Sequence, residues 1–132
     1  MRTRTATCVV NAGADELFGY LSRIENLPDW ATEFARELHW DDAGPWVVNG
    51  LGEFRVRYDI DAEHGLIDIY AGPAGGDMAL FPSRVVALSD GRSAYTFTMF
   101  ETPGGSAELF DAQYDSLVRE LGNVGRRFLR PG

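Results

Sequence analysis

From Ser106 onward, Phe110, Tyr114, Leu117, Leu121, Val124 and Phe128 recur at intervals of three and four, and this stripe limits the fold more than any other feature of the chain. Such spacing gathers the six side chains on one side of an α-helix. Ser106 follows a break at Pro103-Gly104-Gly105 and is placed to cap that helix, which the pattern carries to about Leu129. At ~1.5 Å per residue the rod is roughly 35 Å long, enough to cross a small sheet. Its oily side must be buried, so the rest of the chain has to supply a partner surface. Gly122 and Gly125 each cost up to ~1 kcal/mol relative to Ala, which predicts close packing at those two points. Arg126, Arg127 and Arg130 lie where a helix's last carbonyls favour positive charge.

Upstream, the apolar period shortens to two. Between Glu53 and Asp61, Phe54, Val56, Tyr58 and Ile60 alternate with charged residues without a break, which predicts a strand with one wet and one buried face. Turn signals at Gly44-Pro45, Asn49-Gly50, His64-Gly65, Gly72 to Gly76 and Asp90-Gly91 separate six such strands. The two arms around Asp90-Gly91, roughly Met78 to Leu88 and Arg92 to Thr102, read as a long hairpin with Tyr95, Phe97 and Met99 on the more apolar face of the second. Earlier in the chain, Thr3 to Val10 reads as a strand and Ala14 to Ile24 as a helix. Pro28 opens a short second helix, ending by Ala35, in which Trp30 and Phe34 lie one turn apart.

With 132 residues, 45 % of them hydrophobic, the chain can build one buried core, and residues 1–132 are expected to form a single domain. A net charge of −8 repels phosphate backbones and anionic lipid, so no nucleic acid is expected as a partner. All twelve basic residues are Arg, which excludes Schiff-base chemistry. The single Cys8 can form no intrachain disulfide and no apolar run approaches a membrane span, so a cytoplasmic location is expected.

Nucleophile, base and metal signals are weak. His39 and His64 are separated by a whole hairpin, so no metal site and no cofactor is expected. His64 reads as a turn residue, and Cys8 as a small buried hydrophobe. His39 shares a strand face with Glu37 and Asp41, read as the outer one; a one-residue slip would turn Glu37 and His39 inward as an acid-base pair. Arg84 is ambiguous in the same way: between Ser83 and Val85 it reads as outward, and inward it would form a clamp for an enolate or carboxylate. The Gly72 to Gly76 segment lacks the Lys and Ser/Thr of a phosphate loop and reads as a loop or lid.

The order strand, two helices, six antiparallel strands and long C-terminal helix resembles the START-like superfamily, which includes polyketide cyclase/dehydrase proteins. The segments Asn11-Ala12-Gly13-Ala14-Asp15-Glu16-Leu17-Phe18 and Glu25-Asn26-Leu27-Pro28-Asp29-Trp30 look like the family's first strand-helix junction and second helix. Gly65-Leu66-Ile67-Asp68-Ile69 and Ser83-Arg84-Val85-Val86 with Asp90-Gly91 look like a small bacterial, cyclase-labelled branch. Members of that branch often carry His where this chain has Ile69, so a proton-transfer role there is absent.

The resemblance implies an α+β helix-grip fold, a seven-stranded curved antiparallel sheet around the last helix, with a cavity reached near the second helix and the hairpin loops. On that frame the alternation turns Phe54, Val56, Tyr58, Ile69, Phe81, Val85, Phe97 and Met99 toward the cavity. Trp30 and Phe34 would close it from the second helix, and Phe110, Tyr114, Leu117 and Leu121 from the last. Tyr58 and Tyr114 are the foremost polar candidates, because buried hydroxyls need partners. Three readings follow: a carrier of a small apolar molecule, a cyclase or aromatase-like enzyme using Tyr58, Tyr114 or Arg84, and an interaction module presenting Glu53, Asp59 and Asp61. Self-association as a homodimer stays open.

Overall fold

Alternation and turn chemistry set the strand ends. β1 (Thr3–Val10) leads to α1 (Ala14–Leu21), a 3-10 turn at Ile24–Asn26 and α2 (Leu27–Trp30). Then follow β2 (Glu37–Asp41), β3 (Gly44–Asn49), β4 (Gly52–Asp61), β5 (Leu66–Gly72), β6 (Ala79–Ala87), β7 (Ser93–Phe100) and α3 (Ala107–Arg127). The computed structural model describes residues 1–129, so Arg130 of the C-terminal basic trio lies outside the described residues. The strands form one antiparallel sheet in the order β1-β7-β6-β5-β4-β3-β2. Gly65 has a φ of +70° and sits so close to β6 that a Cβ would lie 2.5 Å from Val85 O. Only glycine fits that turn.

Register decides which side chains share the inner face. Tyr58 pairs with Ile69 and Ile69 with Phe81, forming one row; Ile67, Ser83 and Phe97 form the next, ending at Ala6. Val85, Tyr95 and Cys8 make a third. Ile67, Ile69, Ser83, Val85 and Tyr95 are all buried, which marks these rows as the core side. Arg84 is exposed, so it lies on the outer face and the inward clamp is ruled out. His39 is exposed as well, stacked on Trp46 at 4.5 Å between ring centres and 3.1 Å from Glu37, which rules out the inward acid-base pair.

α3 begins where expected, with Ser106 Oγ accepting from Leu109 N at 3.0 Å. It buries Phe110, Leu117, Leu121 and Val124, its nearest backbone neighbours being β1 and α2. Arg2 and Arg4 of β1 hold their guanidinium carbons 5.0 and 3.8 Å from the ring centres of Phe110 and Tyr114.

Three boundary and packing expectations need correction. α1 stops at Leu21 rather than Ile24, and α2 stops at Trp30 rather than Ala35. Ala31 leaves helical geometry (φ −87°, ψ 56°), and the next free amides, Glu33 N and Phe34 N, donate to Glu120 Oε2 on α3 at 3.2 and 3.0 Å instead of extending the helix. Gly122 and Gly125 are not close-packed: a Cβ on Gly125 would meet nothing within 4 Å, and one on Gly122 only the Arg126 side chain, at 3.5 Å. Gly125→Ala should therefore raise unfolding stability by about 0.5–1 kcal/mol in a urea titration. A loss instead would mean that the site needs glycine for a reason other than space.

Candidate functional site

The inner face is open at one end. A cleft of ≈ 590 Å³ is bounded by Val56 and Tyr58 of β4, Ile24 of the 3-10 turn, Pro45 of β3, and Gly75 and Met78 of the loop before β6. Side-chain size along the rows explains where it forms. Val56 pairs with Ala71 and Ala71 with Ala79, so the row at the cleft is built of small residues, whereas the adjacent row is filled by Tyr58, Ile69 and Phe81. The Gly72 to Gly76 segment supplies part of the rim, with Gly75 at a φ of +75°.

Three buried side-chain donors have no hydrogen-bond partner among the described residues: Tyr58 Oη, whose residue lines the cleft, Tyr95 Oη and Trp30 Nε1. Tyr95 is 0 % and Trp30 2 % exposed. Their rings meet edge to face at 6.0 Å, and Tyr95 in turn lies 6.3 Å from Phe97, which is 5.9 Å from Phe81. Burial pushes both tyrosine hydroxyls well above the ordinary phenol value; the neighbouring Tyr95 and Glu25 add to the effect at Tyr58, and Ser83 opposes it at Tyr95. Both remain protonated at neutral pH. The Ser83 hydroxyl has committed its own proton to Ile67 O at 2.6 Å.

Of the residues expected at a ligand, Val56 and Tyr58 line the cleft directly, and Trp30 is buried against Tyr95. Phe81 and Phe97 are half-buried beside Tyr95, while Ile69, Val85 and Met99 are buried in the same inner face. Phe34 and Phe54 are half-buried against the core. Leu117 and Leu121 pack inside it. Phe110 and Tyr114 are not brought to the cleft; they lie under the arginines of β1, four strands from β4 in the sheet order.

Two residues were missed. Tyr95 read only as part of an apolar face, although a tyrosine at an inward position always brings a hydroxyl to be satisfied. Glu120 was not among the stripe residues named from the sequence, although its spacing of three from Leu117 and four from Val124 puts it inside the buried stripe. Burial pushes its carboxyl up to about 7, opposed by the Phe34 and Glu33 amides it accepts from. The charge of Glu33 adds to the rise and Arg119 lowers it. Glu120 thus anchors the segment that follows Trp30 and carries Phe34 to α3.

No nucleophile is poised. Burial drives the Cys8 thiol up to about 11, so it carries almost no thiolate at neutral pH. His64 Nδ1 lies 2.8 Å from Asp61 Oδ2 in an exposed turn, away from the inner face. Among the described residues no three His, Cys, Asp or Glu side chains are grouped to hold a metal ion.

No family model matches the sequence, and a comparison with curated proteins returns no match. Solved structures do match. A START superfamily protein from Mycobacterium smegmatis superimposes with a TM-score of 0.64 at 14% identity, covering 96% of each chain. This chain has the START-like fold. The Zhui aromatase/cyclase of Streptomyces sp. R1128 shares it (TM-score 0.72, 17% identity, 96% of this chain and 92% of that one). So does an uncharacterized protein of Bacillus thuringiensis (TM-score 0.77, 13% identity, 98% of this chain and 100% of that one). At these identities the likeness is one of START-like architecture; which molecule the cleft accepts has to come from its own side chains.

Proposed function

We propose that the protein binds a small apolar molecule in the cleft at Val56 and Tyr58. The observation that carries this reading is a cleft of ≈ 590 Å³ lined by the apolar side chains of Ile24, Pro45, Val56 and Met78 together with Tyr58, with Arg55 and Arg57 also in its wall. That volume lies within the ~300–1,000 Å³ usual for small-molecule sites. Small side chains in the row of Val56, Ala71 and Ala79 leave the space, and Ile24, Pro45, Val56 and Met78 provide apolar contact. No helix among the described residues is long and apolar enough to cross a membrane, and the lone Cys8 fits a cytoplasmic carrier.

A second reading, a cyclase or aromatase-like enzyme, is favoured by the START-like neighbour named as an aromatase/cyclase. In that reading Tyr58 alone of the three expected groups is placed to polarise a carbonyl, since Arg84 is exposed and Tyr114 lies under Arg4. Glu53, Asp59 and Asp61 are exposed, as an interaction module would need, but Asp59 and Asp61 are already engaged with Arg57 and His64.

Nile red fluorescence tests the carrier reading. Wild type should enhance it saturably, and Ala74→Trp, a bulky change at the exposed rim, should weaken binding at least about tenfold. Ala62→Trp, in the exposed turn after β4, should leave it unchanged. Equal binding by all three proteins would place the dye elsewhere and overturn the assignment.

A further inference from the structure

We infer that the inner end of the cleft is an acceptor-reading subsite, in which Trp30 Nε1, Tyr58 Oη and Tyr95 Oη select an apolar ligand whose buried end carries a neutral carbonyl oxygen. The inference rests on the carrier reading and adds the chemical class of the ligand. Its basis is that all three groups are buried hydrogen-bond donors without a partner among the described residues. Isolated orphans of this kind are costly, and native interiors rarely keep them without a purpose. Here three occur on one side of the sheet: Tyr58 on the cleft wall, Tyr95 joined to its row through Phe97 and Phe81, and Trp30 edge-on to Tyr95.

Counting protons against lone pairs narrows the ligand. An indole N–H can only donate, and two protonated phenols bring two more hydrogens, so the site offers three protons. A carbonyl oxygen contributes two lone pairs and no hydrogen, whereas a hydroxyl contributes two and adds a fourth proton to be placed. The count therefore favours ketones, quinones and lactones over alcohols and phenols. Charge gives a carboxylate no advantage at this end: the two arginines that line the cleft, Arg55 and Arg57, are already paired with Asp41 and Asp59, Glu25 adds negative potential at Tyr58, and the chain carries a net charge of −8. The nearest inward cation along the row of Tyr58, Arg4 beyond Met99, is occupied over the Tyr114 ring.

Matched tricyclic probes give the test: fluorene, 9-fluorenol and 9-fluorenone differ only in the group at one carbon. Calorimetric or tryptophan-quenching titrations of wild type should rank fluorenone about tenfold tighter than fluorene, with fluorenol between or below. The double variant Tyr58→Phe/Tyr95→Phe, checked for an intact melting transition, should lose that preference, so that fluorene and fluorenone bind it within about twofold of each other. Equal affinity for fluorene and fluorenone in wild type, or a preference that survives in the variant, overturns the subsite and leaves the apolar cleft standing. If Nile red binds while none of the three tricycles does, the subsite is again overturned. If Nile red and all three fail, the carrier reading itself falls.

Discussion

Glu120→Gln is expected to make the protein more stable at pH 8, by a margin that shrinks as the pH falls toward 4.5. The carboxyl is 6 % exposed and accepts two backbone amides from the segment after α2, and burial raises it from 4.5 to about 7. A group whose folded value lies above its unfolded value binds more protons in the native state. Its favourable contribution is therefore complete below about 4.5 and is lost as the pH rises through 7. The shift corresponds to roughly 3 kcal/mol as an order of magnitude. Glutamine keeps a carbonyl for the Glu33 and Phe34 amides and carries no charge, so the gap between variant and wild type should open by up to that amount between pH 4.5 and 8. The lowered carboxyls Glu33, Asp41, Asp61 and Asp90 are all stabilised as anions by hydrogen bonds, from Arg119, Arg55, His64 and Arg92 first. Their contributions have the opposite sign and disappear only below about pH 4. Urea unfolding at several pH values reads the difference directly; a gap that stays constant would show that Glu120 titrates normally.

Tyr95→Phe is expected to stabilise the ligand-free protein, against the usual direction of a change in a fully buried residue. Tyr95 is 0 % exposed and its hydroxyl has no partner of normal hydrogen-bond geometry. Removing an unsatisfied buried hydroxyl recovers desolvation of about 1–3 kcal/mol, less a small loss of packing. Thermal or urea unfolding should show the gain without added ligand, and the same variant should lose the advantage conferred by a carbonyl probe. Such a trade of stability for recognition is what a binding site built from orphan donors entails. A loss of about 1 kcal/mol in the free protein would mean that the hydroxyl already has an internal acceptor, with Ser83 the first to suspect.

The alternation in β4 was a sound guide to direction because a period of two leaves one face for each parity. Phe54, Val56 and Tyr58 point to the core side as read, yet Ile60 on the same face is 48 % exposed although its partner Ile67 is fully buried, because parity sets the face and not what packs over it. Turn glycines made the hairpins legible for a similar local reason. α2 was overread because Trp30 and Phe34 have helical spacing, and that spacing cannot show that a carboxylate 86 residues away captures the amides of the missing turn. Tyr114 carries the same residue type as Tyr58, and only the placement of Arg4 separates them. Long-range partners of this kind are set by tertiary packing, which periodicity does not encode.

The indole resonances of a ¹⁵N-labelled sample offer the most direct measurement, since the chain has three tryptophans in three surroundings: Trp30 buried beside Tyr95, Trp46 stacked on His39 at the outer face, and Trp40 exposed on edge strand β2. Titration with 9-fluorenone should shift the Trp30 N–H signal saturably and leave Trp46 in place. Movement of Trp46 with Trp30 unmoved would put the ligand on the wrong side of the sheet and contradict the account.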